Sequence, residues 1–171
     1  MRLQGNITIN GRIYPQGTDI PWFRVYPFFL IHMLVFGGSG FFMAYGPAHP
    51  PVLFLYLHGG LAITVYTLFY LSIFGRDAVK WMFINAILGL FGIYSQISWL
   101  LSLVGKRVSD YPFYVHVIPF LYYVLYTFLV RHAVIDITQS REDARRRKRV
   151  ENLYIAVSVA VYVIVYRLEG R

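Results

Sequence analysis

The sequence predicts an all-α integral membrane protein: a bundle of four transmembrane helices with a small cytoplasmic β-element made by its N- and C-terminal segments. Three observations carry that prediction. Of the 171 residues, 57% are hydrophobic and only 14% charged, against about a quarter charged in an ordinary soluble domain. The apolar residues fall into separate stretches of about twenty, the length that crosses a hydrocarbon core of roughly 30 Å. The net charge of +8 lies almost wholly on one side of those stretches.

The chain reads as a single membrane domain with four segments. Residues 1–21 form a cytoplasmic hairpin segment, 22–135 the four helices, 136–152 a basic cytoplasmic helix, and 153–168 a strand or a fifth span. The first twenty residues hold no apolar run, so they are not expected to be a cleaved secretory signal. Span one is expected from Val25 to Tyr45, behind Trp22 and Phe23 as interfacial anchors. The Pro-rich link Gly46-Pro47-Ala48-His49-Pro50-Pro51 cannot continue a helix. Span two covers Val52–Phe74, span three Trp81–Val104, and span four Phe113–Val130 with Pro119 as an expected kink. None of these intervals contains Asp, Glu, Lys or Arg in its interior.

With a cytoplasmic N-terminus, four spans leave only Lys106 and Arg107 of the sixteen basic residues outside. The positive-inside bias therefore predicts both termini in the cytoplasm of a bacterial inner membrane. Near the N-terminus, Ile7-Thr8-Ile9, Asn10-Gly11 and Arg12-Ile13-Tyr14 read as strand, type I′ turn and strand. Between Leu153 and Tyr166, β-branched residues alternate with Tyr, Ala and Ser (Ile155, Val157, Val159, Val161, Val163, Val165). That period of two predicts a strand pairing with the hairpin; a short fifth crossing, which would put Arg171 outside, is the alternative.

Polar residues inside spans carry what chemistry there is. By helical rise, His58 lies about 10 Å, His116 about 5 Å and His32 about 20 Å below the outer boundary. His58 and His116 are candidate axial ligands for haem b, with Gly59-Gly60 leaving room for a macrocycle. Interhelical hydrogen bonding accounts for the same residues without a cofactor. A metal site from His49, His58 and His116 lacks a nearby carboxylate or thiolate. Asn85, Ser95, Gln96, Ser98 and Ser102 mark a polar face of span three, suited to helix packing or to a quinone-like head group. Tyr122, Tyr123 and Tyr126 lie deep enough in span four for each hydroxyl to need a partner.

Arg141, Arg145, Arg146, Arg147, Lys148 and Arg149 form a basic run suited to anionic lipid headgroups or an acidic protein partner. The run lacks the aromatic or base-reading context that nucleic-acid binding requires. The absence of cysteine excludes disulfides, thiolate metal sites and thiol chemistry. No nucleophile–base motif, phosphate loop or dinucleotide fingerprint occurs. The expectation is a non-enzymatic protein that binds a membrane or cytoplasmic partner, with a haem- or quinone-binding subunit, then a small channel or carrier, as alternatives. Four spans with cytoplasmic termini resemble the plan of some immunity proteins against pore-forming bacteriocins. That resemblance is one of architecture, without a shared motif, and implies a role in blocking a membrane-acting toxin or as an accessory subunit.

Overall fold

The computed structural model describes residues 2–9, 11–47 and 50–169. His49, one of the three candidate metal ligands, and Asn10 of the expected turn lie outside the described residues. The described residues form a two-stranded hairpin and six α-helices: β1 (Ile7–Ile9), β2 (Arg12–Tyr14), α1 (Trp22–Tyr45), α2 (Val52–Phe74), α3 (Arg76–Leu88), α4 (Leu90–Ser102), α5 (Phe113–Ile137) and α6 (Ala144–Glu169). Among the described residues, α1, α2 and α5 are long and apolar enough to cross a membrane. The number rises to four if α3 and α4 count as one bent span.

The hairpin follows its sequence signal. Ile7 pairs with Tyr14, Thr8 with Ile13 and Ile9 with Arg12, and Gly11 takes the positive φ of 75° that the turn requires. Ahead of it, the N–H groups of Gln4 and Gly5 donate to the Ser72 carbonyl at 3.0 and 2.9 Å. Ser72 is in the last turn of α2, where carbonyls lack an intrahelical partner, so the N-terminal segment caps that helix. Leu3 and Ile7 are buried in the same contact. We call this the hairpin end of the bundle.

At α5, the most buried of the long helices, the other elements meet. Its Tyr122 ring lies over Gly37 and Gly40 of α1, where an added Cβ would sit 3.4 and 3.3 Å from ring atoms. Its Ile118 fills the space beside Gly59 of α2. Small residues that let helices approach closely are a main means of packing in lipid. At the far end, the Tyr45 carbonyl, the last of α1, accepts from Lys106 Nζ and, at 3.1 Å, from the Tyr111 hydroxyl. The α4–α5 loop thus closes the C-terminus of α1.

Four expectations need correction. The segment Leu153–Tyr166 lies within α6 and not in a strand, so among the described residues the sheet has two strands and no C-terminal member. Asp143 starts that helix: its Oδ1 accepts from the N–H groups of Arg145 and Arg146 at 2.9 and 3.1 Å, an N-cap. Once nucleated in a run of strong helix formers, the helix propagates cooperatively into the valines, whose propensity penalty is small. The basic helix expected over 136–152 accordingly begins at Ala144 and continues to Glu169. Span three is broken at Gly89, with α4 inclined 69° to α3, a turn that glycine's weak helix propensity allows. Span four continues past Val130 to Ile137, which brings Arg131, His132 and Asp136 into the helix.

Candidate functional site

Where α3, α5 and the start of α6 converge at the hairpin end, they line a half-open, largely polar cleft of about 400 Å³, in the size range of small-ligand sites. Its position follows from local sequence. Gly75, at φ 89°, reverses the chain between α2 and α3, so that Ala78, Trp81, Met82 and Asn85 form one wall. α5 supplies Arg131 and His132, the following turn Arg141, and α6 Arg147 and Glu151.

Ion pairs fix these walls. Asp136 is buried, with its side chain 7% exposed. It accepts from Tyr26 Oη at 2.5 Å and from Arg141 Nε and Nη2 at 2.5 and 2.9 Å. This clasp joins the first turns of α1, the last turn of α5 and the connection to α6. Burial works against the Arg141 charge, but the Asp136 carboxylate outweighs it and holds the guanidinium above its ordinary pKa. One turn deeper, Arg131 Nη2 donates to Glu151 Oε1 at 2.7 Å, tying α6 to α5. Tyr154 Oη continues the contact, donating to the Thr127 carbonyl at 3.4 Å. His132 Nδ1 donates to the Phe128 carbonyl at 3.0 Å, and the ring packs against Phe74 and Phe128.

The basic run anticipated as one docking patch is divided. Arg141 and the exposed Arg147 line the cavity, whereas Arg145, Arg146, Lys148 and Arg149, exposed along the first turns of α6, do not. Asn85 also lines the cavity. The other members of the expected polar face lie beyond the Gly89 bend: Ser95 is buried, Gln96 and Ser98 are half-buried, and Ser102 donates to the Trp99 carbonyl at 2.7 Å. The bend therefore separates Asn85 from Gln96, which a straight helix would have placed on one face.

The structure gives His58 and His116 separate partners. His58 Nε2 bonds Ser39 Oγ at 3.0 Å, and His116 Nδ1 bonds the Tyr45 hydroxyl at 2.7 Å. His58 instead shares with His32 an apolar cavity of about 340 Å³ between α1 and α2, walled by Phe28, Phe36 and Phe69. His32 Nδ1 is held by the Phe28 carbonyl at 2.8 Å. Among the described residues no group of three or more His, Asp or Glu is placed to hold a metal ion. The deep tyrosines divide as well: Tyr122 is buried and its hydroxyl has no hydrogen-bond partner among the described residues, while Tyr126 is exposed.

Sequence reasoning missed Tyr26, Asp136, Arg131 and Glu151. The Tyr26–Asp136 bond spans 110 positions and leaves no local signature. The Arg131–Glu151 spacing would have pointed to an ion pair only if the chain were known to turn back at 138–143. No protein-family model matches the chain, and neither a curated protein nor a solved structure matches it significantly.

Proposed function

We propose that the protein is a non-catalytic accessory subunit of a bacterial inner membrane that acts by binding another membrane polypeptide. The observation that supports this reading best is α6. Tyr154 is half-buried, but beyond it Ile155, Val157, Val159, Val161, Val163 and Ile164 are between 47% and 59% exposed. The helix therefore rests against α4 and α5 along a narrow edge, leaving most of its circumference to lipid or a partner. Ala156 and Ala160, four residues apart and exposed, suit close approach of a second helix. The exposed Arg145, Arg146, Lys148 and Arg149 would meet an acidic face of the same partner.

In this reading the N-terminus and the basic run are cytoplasmic, as the positive-inside bias favours. Tyr154 stands beside Thr127, and from there α6 runs to Glu169, a rise of about 22 Å. α5 runs back from Thr127 to Phe113, about the same distance. The fifth-crossing alternative is therefore the one we adopt for α6, and it puts Arg171 on the outer side.

Because the chain contains no cysteine, a single Ser158→Cys substitution gives a clean cross-linking site. The partner reading expects a heterologous adduct in membranes that disappears when Arg145 and Arg146 are changed to Glu. Only monomer, or an adduct indifferent to those charges, would overturn it; a homodimer would make the partner a second copy. A reporter fused after Arg171 should read on the outer side, and a cytoplasmic signal would remove the fifth crossing.

The α1–α2 cavity supports a second reading, a bound apolar ring such as a quinone or haem beside His32 and His58. An absorption spectrum of the purified protein, compared with His58→Ala, tests it.

A further inference from the structure

A second cavity adjoins the polar one, and the two together have the polarity of an amphiphile. The polar cavity presents Arg131, Arg141 and Arg147, of which Glu151 on the lining pairs Arg131 and Asp136 behind it pairs Arg141, so the excess positive charge is that of Arg147. The second, about 150 Å³, extends along α5 and is bounded by Ala86, Ile93, Tyr123, Val124 and Thr127. Met82, Asn85, Phe128 and Arg131 line both. From Arg131 to Tyr123 is eight residues of α5, a rise of about 12 Å. An anionic head group bound at the arginines would thus have an apolar channel of that length beside it.

The donors are not all consumed by the protein's own ion pairs. Arg131 gives one N–H to Glu151, and Arg141 faces Asp136 through Nε and Nη2; each guanidinium carries five N–H groups. The Arg147 guanidinium has no hydrogen-bond or ion-pair partner among the described residues; its backbone N–H makes the ordinary helical bond to the Asp143 carbonyl at 2.8 Å. Trp81, 58% exposed, stands at the mouth, and Lys80 and Arg76 are exposed on the same helix. Tryptophan beside basic residues marks the level at which lipid phosphates lie. A membrane ligand at this depth offers its phosphate to the arginines and its chain to the apolar cavity without leaving the bilayer.

We infer that the paired cavities bind an anionic phospholipid, with its phosphate against Arg147, Arg131 and Arg141 and the upper part of an acyl chain between Ala86 and Tyr123. The site needs the bundle to sit in a membrane but does not depend on the protein partner proposed above. Its failure and the failure of that reading are read in different assays.

The test uses the full chain, delipidated in dodecyl maltoside and titrated with phosphatidylglycerol or phosphatidylcholine, with bound lipid counted by native mass spectrometry. Phosphatidylglycerol should be retained and should raise the melting temperature; phosphatidylcholine at the same concentration should do neither. Arg147→Gln, an exposed position, should leave lipid-free melting unchanged and weaken phosphatidylglycerol binding about tenfold, the loss of one charge-assisted contact. Ala86→Leu, which fills the apolar cavity, should also reduce retention; if that variant does not fold, Arg147→Gln decides. Equal retention of both lipids, or unchanged binding in Arg147→Gln, would overturn the inference. So would displacement of phosphatidylglycerol by inorganic phosphate or glycerol phosphate at matched concentration, which would reduce the site to a soluble-anion pocket.

Discussion

Replacing Arg141 should damage the protein far more than replacing Asp136, although the two form one ion pair. The asymmetry follows from their exposure. The Asp136 side chain is 7% exposed and that of Arg141 38%. In Arg141→Gln the carboxylate stays where water barely reaches it, keeping only the Tyr26 hydroxyl as a strong donor. Breaking a buried pair by removing one partner costs about 3–5 kcal/mol, and the surviving Tyr26 bond places this case near 3 kcal/mol. In Asp136→Asn the orphan is a guanidinium with an open path to solvent, and the amide oxygen still accepts from Tyr26. The loss is then close to that of an exposed pair plus a weakened hydrogen bond, about 1 kcal/mol. Denaturant unfolding in dodecyl maltoside micelles, followed by near-ultraviolet circular dichroism, should separate the two by about 2 kcal/mol. The triple substitution Tyr26→Phe, Asp136→Leu and Arg141→Met should lie within about 1 kcal/mol of the wild type, since replacing both charges and the hydroxyl that donates to them removes the desolvation terms as well. The reasoning is refuted if Arg141→Gln is as stable as the wild type, or if Asp136→Asn is the worse of the two.

Two further substitutions test the packing around α5. Tyr122→Phe removes a buried hydroxyl without a partner among the described residues and should raise stability by about 1 kcal/mol in the same unfolding assay; a loss of stability would show that the hydroxyl is bonded. Gly59→Ala drives a methyl into Ile118 Cγ2, an overpacking expected to cost about 1–3 kcal/mol, with relief, read as a favourable coupling in the double-mutant cycle, when Ile118 is cut back to Ala and that methyl is removed.

How far the sequence reveals this structure depends on whether the deciding interaction is local. α1, α2 and most of α5 are set by hydropathy over about twenty residues, and the hairpin by Asn10-Gly11, so both can be read directly. The misreading of α6 has a definite cause. Alternation identifies a strand when one face is apolar and the other polar. Here the residues between the valines are Ala, Ser, Tyr and Ile, so a helix would be apolar on nearly every side as well. What decided the matter lay upstream, in the Asp143 cap and the helix-forming run after it. The break at Gly89 is a second case: two glycines in span three signalled close packing, but only the contact of α4 with α6 gives the bend a destination.

The polar site was invisible for the same reason that it is interesting. Its charges lie just past the point where the hydropathy pattern ends span four, and they read as solvated until the chain is known to turn. The short segment 138–143 sends α6 back along α5, bringing Glu151 to Arg131 and Arg147 over the cavity mouth. A basic run on a straight extension of α5 would only have marked the side of the membrane on which it remained. Folded back, it contributes the exposed Arg147 to the cavity while Arg145, Arg146, Lys148 and Arg149 do not line it. A diffuse topogenic charge binds any anionic surface weakly; guanidinium groups fixed by the Asp136 and Glu151 pairs present donors in one geometry. That preorganisation, and not the number of arginines, is what would let the hairpin end distinguish a lipid phosphate from the general negative charge of the membrane around it.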